Sequence, residues 1–182
     1  MSIKGFIKIK IGSRLLEKRA NKIVRCKQFS NLETAKNIAV LFDATNTDNY
    51  TTARFLSKYL IDNKIKFRGL GFAKPYDAQE QPSAYSGITL FTENDFSISG
   101  SIASDAIIEF IRTEFDMLID LHQKNNYYIE AINAFSMAKM KLGLKHKDIG
   151  FYDFMIDLNE EEANSETFIE QIKHYLNIIK TV

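Results

Sequence analysis

Short apolar runs alternate with longer amphipathic stretches along most of the chain, and this alternation restricts the fold more than any other feature. Residues 38–42 (IAVLF) and 88–91 (ITLF) are too short for ordinary globular helices, and such runs are typical of strands buried on both faces. Between the runs, apolar residues recur at helical spacing. The pattern predicts an α/β fold with a mostly parallel sheet, Rossmann-like or flavodoxin-like, that carries helices on both faces.

The same periodicities locate the individual elements. Predicted strands cover residues 38–42, 65–72, 88–91, 115–121, 141–144 and 151–158. Predicted helices run from the capping residues at 43–48 to Asn63, begin again at Ser104, extend from Ile129 to Met140, and close the chain from Phe168 to Ile179. Residues 74–86 contain both prolines and are predicted to form a loop.

A single domain is expected, because 182 residues can bury a hydrophobic core without disulfides or metals. Cys26 is the only cysteine, which excludes an intramolecular disulfide and a cysteine-based zinc site within one chain. Lysines interrupt residues 1–11, so no signal peptide is predicted, and no run approaches the ~18 apolar residues of a membrane span. We therefore expect a cytoplasmic protein.

Positive charge is concentrated at the start of the chain. Residues 1–36 contain ten Lys and Arg residues against two acidic ones, while the remainder contains 14 basic and 21 acidic residues. This asymmetry predicts a basic N-terminal arm at 1–36, followed by a single α/β domain at 37–182.

The arm has the pattern of a basic amphipathic helix. Its apolar residues share one helical face, and they are Ile3, Phe6, Ile7, Ile11, Leu15 and Leu16. The arm also supplies the residues predicted to contact an anionic partner, which are Lys4, Lys8, Lys10, Arg14, Lys18, Arg19, Lys22 and Arg25. Two alternatives stay open. The apolar face can pack on the body while the lysines are simply solvated, or residues 6–11 can form a short strand before a helix that begins near Ser13.

A second candidate site lies where the predicted first strand leads into a helix. Asp43, Thr45 and Asn46 stand at the carboxyl end of that strand, which is where parallel sheets bind ligands. The glycine-rich turn of a dinucleotide site and the GxxxxGK[ST] loop are both absent from the sequence, so no cofactor is predicted. Helix capping alone also explains Asn and Thr at this place.

Three aspartates, Asp43, Asp120 and Asp157, are each predicted to end a strand and so to meet at one edge of the sheet. Carboxylates gathered there can bind a divalent cation or act as acid and base, although aspartates also commonly end strands and cap helices. His122 lies at the same edge and is expected to be a solvated loop histidine. No pair of histidines has metal-site spacing on a helix, so we predict neither a metal site nor catalytic residues.

The order of five motifs resembles that of an uncharacterised bacterial family: LFDATN at 41–46, GLGF at 69–72, FDMLIDL at 115–121, AKMKLG at 138–143 and FYDFMIDL at 151–158. This resemblance covers essentially the whole chain and implies no activity. Residues 115–144 are also similar to the N-terminal half of heptosyltransferase-type glycosyltransferases, in which a C-terminal domain holds most of the donor nucleotide. The chain ends before such a domain can begin, so an intact transferase is not expected.

These features predict a non-enzymatic binding or adaptor protein whose basic arm engages an anionic partner. RNA or a ribonucleoprotein is favoured over an anionic membrane surface. The alternative is a small-ligand-binding enzyme or sensor at the carboxyl edge of the sheet, related to a sugar-nucleotide glycosyltransferase half-domain. Assembly of a homo-oligomer through the arm is a third interpretation.

Overall fold

The structure, a computed structural model, describes residues 3–75, 87–145, 150–157 and 165–178. Its helices are α1 (Ile3–Ala20), α2 (Thr47–Asp62), α3 (Asp105–Arg112), α4 (Tyr127–Phe135) and α5 (Ser165–Ile178). Its strands are β1 (Asn37–Asp43), β2 (Lys66–Phe72), β3 (Ile88–Phe91), β4 (Met117–Asp120), β5 (Met140–Leu144) and β6 (Phe154–Ile156). Within the described residues, no helix is long and apolar enough to cross a lipid bilayer.

All six strands form one parallel sheet in the order β3-β2-β1-β4-β5-β6. This order is that of the Rossmann fold rather than that of flavodoxin, and it confirms the predicted α/β architecture. The sheet grows to one side of β1 through β2 and β3, and to the other side through β4, β5 and β6. The strand order therefore reverses between β1 and β4, and sheets of this type leave a ligand crevice at the carboxyl ends of those strands.

Helices cover both faces of the sheet, because alternate residues of each central strand point to opposite sides. In β1, Ile38, Val40 and Phe42 belong to the core that α2 and α5 share. Ala39 and Leu41 belong to the opposite core, which α1, α3 and α4 cover. Burial on both sides explains why this strand has no polar position between residues 38 and 42.

The helix predicted from Ile129 to Met140 is too long, because α4 ends at Phe135. The chain turns at Ser136, and the backbone N–H of Met137 donates to the carbonyl of Ile111 at 2.7 Å, which ties the segment to the end of α3. Met140 then begins β5. Met140 continued the helical period because a strand buried on both faces is apolar at most positions, and Met137 lies in the turn between α4 and β5.

The other predicted elements are confirmed to within a few residues at the positions that the structure describes. Three predictions extend outside those residues: most of the loop at 74–86, the end of the strand at 151–158, and the last residue of the helix ending at 179.

The basic arm lies against the α/β body. α1 is helical from Ile3, so the alternative strand at residues 6–11 is wrong. Leu16 and Ala20 are buried in the core beneath the helix. Gly12 lets α1 approach α4 closely, since a Cβ atom at this position would lie 2.1 Å from Tyr127 Oη. The division of the chain at residue 36 stays a prediction.

Candidate functional site

One side of α1 is fixed to the body, and the opposite side presents positive charge and the 41% exposed Ile11 to solvent. Ile11 therefore does not share the buried face, contrary to the prediction from the sequence. Leu16 and Ala20 are buried, whereas the side chains of Lys10 and Lys18 are exposed. The two lysines are eight residues apart, so they follow one side of the helix at a separation of about 12 Å along its axis. Lys22, just beyond the end of α1, is also exposed.

The other residues of α1 that were predicted to bind a partner are either less exposed than Lys10 and Lys18 or have side chains outside the part of the chain that the structure describes. Arg19 Nη1 donates to Ser101 Oγ at 3.0 Å and is only partly exposed. The side chains of Lys4, Lys8 and Arg14 lie outside the part of the chain that the structure describes.

Arg25 contacts the protein itself rather than solvent. Its Nη2 atom lies 2.5 and 2.6 Å from the two carboxylate oxygens of Asp153, and its Nη1 atom donates to the carbonyl oxygens of Ala138 and Lys139. Burial alone would raise the pKa of Asp153, but the hydrogen bonds and charge of Arg25 lower that pKa below its usual value. Arg25 therefore joins the arm to the amino ends of β5 and β6.

Apolar side chains are exposed beside the cations in the segment that follows α1. Val24 is 89% exposed and Phe29 is 54% exposed. Lys27 is also exposed, and its Nζ atom lies 3.1 Å from Asp153 Oδ1. The segment after α1 therefore places exposed apolar and cationic side chains side by side.

The crevice at the switch point of the sheet is a pocket of about 380 Å³. Three predicted crevice residues, Asp43, Thr45 and Asn46, line it together with Gln123 and Lys124 from the segment after β4. Asp43 Oδ1 accepts hydrogen bonds from Thr45 N at 2.9 Å and Thr45 Oγ1 at 2.6 Å. Asn46 Oδ1 accepts from the first turn of α2, so the expected helix cap is confirmed.

Asp120 and His122 lie beneath this pocket, in a buried polar network. His122 Nδ1 lies 2.6 Å from Asp120 Oδ1, and the other carboxylate oxygen accepts hydrogen bonds from Asn133 Nδ2 at 3.1 Å and Tyr152 Oη at 2.9 Å. Asp120 and His122 are fully buried. The expectation that His122 is a solvated loop histidine is therefore wrong. The reason is that α4 and Tyr152 close over the end of β4 and bring a matching set of hydrogen-bond donors to Asp120.

Burial lowers the pKa of His122, but the neighbouring Asp120 carboxylate outweighs this effect and raises the pKa above its ordinary value. Burial raises the pKa of Tyr152, and the Asp120 charge adds to that increase, so the Tyr152 hydroxyl stays protonated and donates a hydrogen bond to Asp120. The arrangement joins β4, α4 and the segment before β6, and it positions the imidazole next to a carboxylate without exposing either group.

Tyr152 reaches Asp120 because a glycine stands between them in the sheet. Gly143 of β5 pairs with Asp120 of β4, and a Cβ atom at this position would lie 2.4 Å from Tyr152 Cε1. The tyrosine ring therefore occupies the space that any other residue would fill at position 143. This close approach explains a glycine in the middle of a buried strand.

Lys141, also in β5, is a second buried polar group that the sequence analysis missed. Its Nζ atom donates to the carbonyl oxygens of Asn133 and Ala134 at 2.5 and 3.2 Å, at the end of α4. Burial, together with the nearby positive charge of Arg25, lowers the pKa of Lys141 to about 7. A lysine inside the apolar run MKLGL was the available signal, whereas nothing in the sequence pairs Tyr152 or Asn133 with Asp120.

Asp157 is far from the crevice. It follows β6, at the edge of the sheet, and its exposed carboxylate lies 2.8 Å from Lys145 Nζ. Asp43 and Asp120 end their strands and Asp157 follows β6, but Asp43 alone among the three lines the pocket. Within the described residues, no three His, Cys, Asp or Glu side chains group in a way that could hold a metal ion.

The model of a family of unknown function matches residues 8–179. The match covers nearly the whole chain and confirms the resemblance to an uncharacterised family. No curated protein matches the sequence. The similarity of residues 115–144 to heptosyltransferase-type enzymes stays a prediction.

Proposed function

The chain belongs to DUF6913, a family of unknown function, and from the chain's own residues we propose that it is a non-enzymatic cytoplasmic binding or adaptor protein. It docks on RNA or a ribonucleoprotein through the exposed basic side of α1 and the segment that follows this helix. The observation that carries the proposal is the division of α1 into a buried side, with Leu16 and Ala20, and an exposed side, with Lys10 and Lys18.

The packing of α1 favours RNA over a membrane as the partner. An amphipathic helix binds a bilayer by burying its apolar side among the lipids. Leu16 and Ala20 already pack in the core of this protein, so inserting this side of α1 into a bilayer would require the helix to leave the body. Binding to phosphates requires no such rearrangement, because lysines on a docked helix can displace counterions from the RNA where they stand.

The proposal is tested with the variant Lys10→Gln/Lys18→Gln/Lys22→Gln, compared with wild type in binding to a short fluorescein-labelled oligouridine at low salt. We expect fluorescence anisotropy to show weaker binding by the variant. We also expect its thermal midpoint to stay within a few degrees of wild type, because exposed charges contribute little to folding.

A matched control has the same loss of charge on other surfaces: Arg54→Gln/Lys58→Gln/Lys74→Gln, all exposed in the structure. The control is expected to bind RNA much more tightly than the α1 variant. Equal binding by wild type and the α1 variant would contradict the proposal. Preferential binding of the wild type to anionic phospholipid vesicles would replace RNA by a membrane as the partner.

The pocket at the switch point supports a second candidate, a small-ligand-binding enzyme or sensor. Its position between β1 and β4, with Asp43, Thr45, Asn46 and Lys124 in the lining, is the usual ligand position of a Rossmann-type sheet. The candidate predicts that uridine diphosphate or UDP-glucose raises the thermal midpoint of the wild type, and that Lys124→Gln removes the increase. No change with either compound would count against a sugar-nucleotide site.

A further inference from the structure

A second basic surface lies at the amino edge of the sheet, apart from α1. Lys64, Lys66 and Arg68 line a groove of about 680 Å³, called here the amino-edge groove, and Ile61 and Phe67 supply apolar surface to it. Ile61 is 53% exposed. None of the described residues that line the groove is acidic.

The groove exists because β2 is longer than its neighbour β3. The two strands pair only from Gly69 onward. Residues 66–68 pair with β1, and the groove is lined by Asn37 of that strand as well as by Gly87 before β3. The amino-terminal half of β2 is therefore accessible within the described part of the chain.

Lys64 has a left-handed backbone conformation at the point where α2 ends. Its φ of 59° lies in the left-handed region, where it is the one non-glycine residue among those described. Hydrogen bonds from Lys64 N to Ile61 O and from Ile65 N to Leu60 O, both 2.9 Å, form the Schellman ending of α2. Glycine is the usual residue at this position because a Cβ atom is strained there.

Lys64, the residue with the left-handed backbone, is one of the three cations that line the groove. Strained residues of this kind gather at functional sites. Arg68 Nη2 lies 2.7 Å from Glu109 Oε1, but both side chains are substantially exposed, so the ion pair is weak and the guanidinium stays accessible. Lys64 and Lys66 are exposed.

We propose that the amino-edge groove binds single-stranded RNA, with phosphates at Lys64, Lys66 and Arg68 and bases against Ile61 and Phe67. Lys66 and Arg68 are two residues apart on one strand, or about 6.6 Å. That distance is comparable with the separation of successive phosphates in an extended single strand. Lys66 and Arg68 point to one face of β2 and Phe67 to the other, and all three line the groove. Cations beside apolar surface suit an unpaired strand, because a duplex keeps its bases stacked inside.

This inference rests on the proposed RNA-binding function for the class of its partner, but it assigns the contact to a different surface. Lys64→Gly tests it, because the two effects of this substitution have opposite signs. We expect glycine to relieve the left-handed strain and to raise the thermal midpoint. We expect the affinity for fluorescein-labelled oligouridine to fall, and the slope of log affinity against log salt to become shallower by about 0.7.

In the double variant Lys64→Gly/Lys66→Gln, the slope of log affinity against log salt is expected to become shallower by about 1.4. The control is Lys58→Gln, which removes an exposed charge elsewhere on α2. It should change the slope less than either groove variant.

A higher thermal midpoint with unchanged RNA affinity and slope in both groove variants would overturn the inference. Equal binding of duplex RNA and oligouridine would overturn the assignment to single strands. The α1 variant separates the two claims. If it loses RNA binding while the groove variants do not, the proposed function stands and the groove is not a site. If only the groove variants lose binding, the groove stands and α1 is not the docking surface.

Discussion

Lys141 shows at the scale of a single residue how the fold tolerates a charge at an apolar position. Its ammonium group replaces water by two carbonyl oxygens at the end of α4. Asp153 offsets part of the repulsion from Arg25 and Lys27. The fall of the Lys141 pKa from 10.5 to about 7 shows that these contacts do not fully offset the free-energy cost of burying the charge.

This shift predicts that the protein becomes more stable as pH rises above neutrality. Between the lowered pKa of Lys141 in the folded state and its ordinary value in the unfolded chain, the unfolded state binds more protons, so the free energy of unfolding increases with pH. Below that window both states are protonated and the full cost of burying the charge remains. Lys141→Met removes the titrating group and so removes this increase.

Urea denaturation of both proteins at about pH 7.5 and about pH 9.5 checks the prediction. We expect the free energy of unfolding of wild type to gain on the order of 2 kcal/mol relative to Lys141→Met across this range. Parallel pH dependence in the two proteins would contradict the assignment.

The docking of α1 makes a prediction at the scale of the element. Alanine is a better helix former than glycine by about 1 kcal/mol, so a glycine in a free helix gains stability on replacement. Gly12 faces Tyr127, whose hydroxyl donates to the carbonyl of Gly100 at 2.7 Å, and a Cβ atom would displace this ring. We expect Gly12→Ala to lower the free energy of unfolding by about 1 to 3 kcal/mol, as overpacking does.

Ser13→Ala is the matched control, because Ser13 is exposed on the neighbouring position of the same helix. It is expected to be neutral or slightly stabilising. If Gly12→Ala were also stabilising, α1 would not lie on α4 as described.

Helix and strand positions were predictable where a residue's environment is set by its own element. The buried strands and the α2 cap at Asn46 follow from local pattern and hydrogen-bonding chemistry. The end of α4 was not predictable from local pattern, because the backbone of Met137 is hydrogen-bonded to that of Ile111 on α3. This contact joins segments that are far apart in sequence. The buried state of His122 depends in the same way on Tyr152, which the sequence places thirty residues further on.

At the scale of the whole molecule, the alternation of apolar runs sufficed for the fold class, and the structure adds the strand order that distinguishes a Rossmann arrangement from a flavodoxin one. Charge counts identified the basic arm, but they do not distinguish Lys10, which faces solvent, from Arg25, which binds Asp153. The amino-edge groove was missed because its lysines belong to the acidic body rather than to the arm.

The central claim is that charges on α1 contact RNA phosphates, and the salt dependence of binding tests it most directly. The measurement is the slope of log affinity for oligouridine against log salt, for wild type and for Lys10→Gln/Lys18→Gln/Lys22→Gln. Each phosphate contact on a single strand contributes roughly 0.7 to this slope. We predict a steep negative slope for wild type that becomes shallower by about 2 in the variant. A slope near zero for wild type, or the same slope in both proteins, would contradict the account.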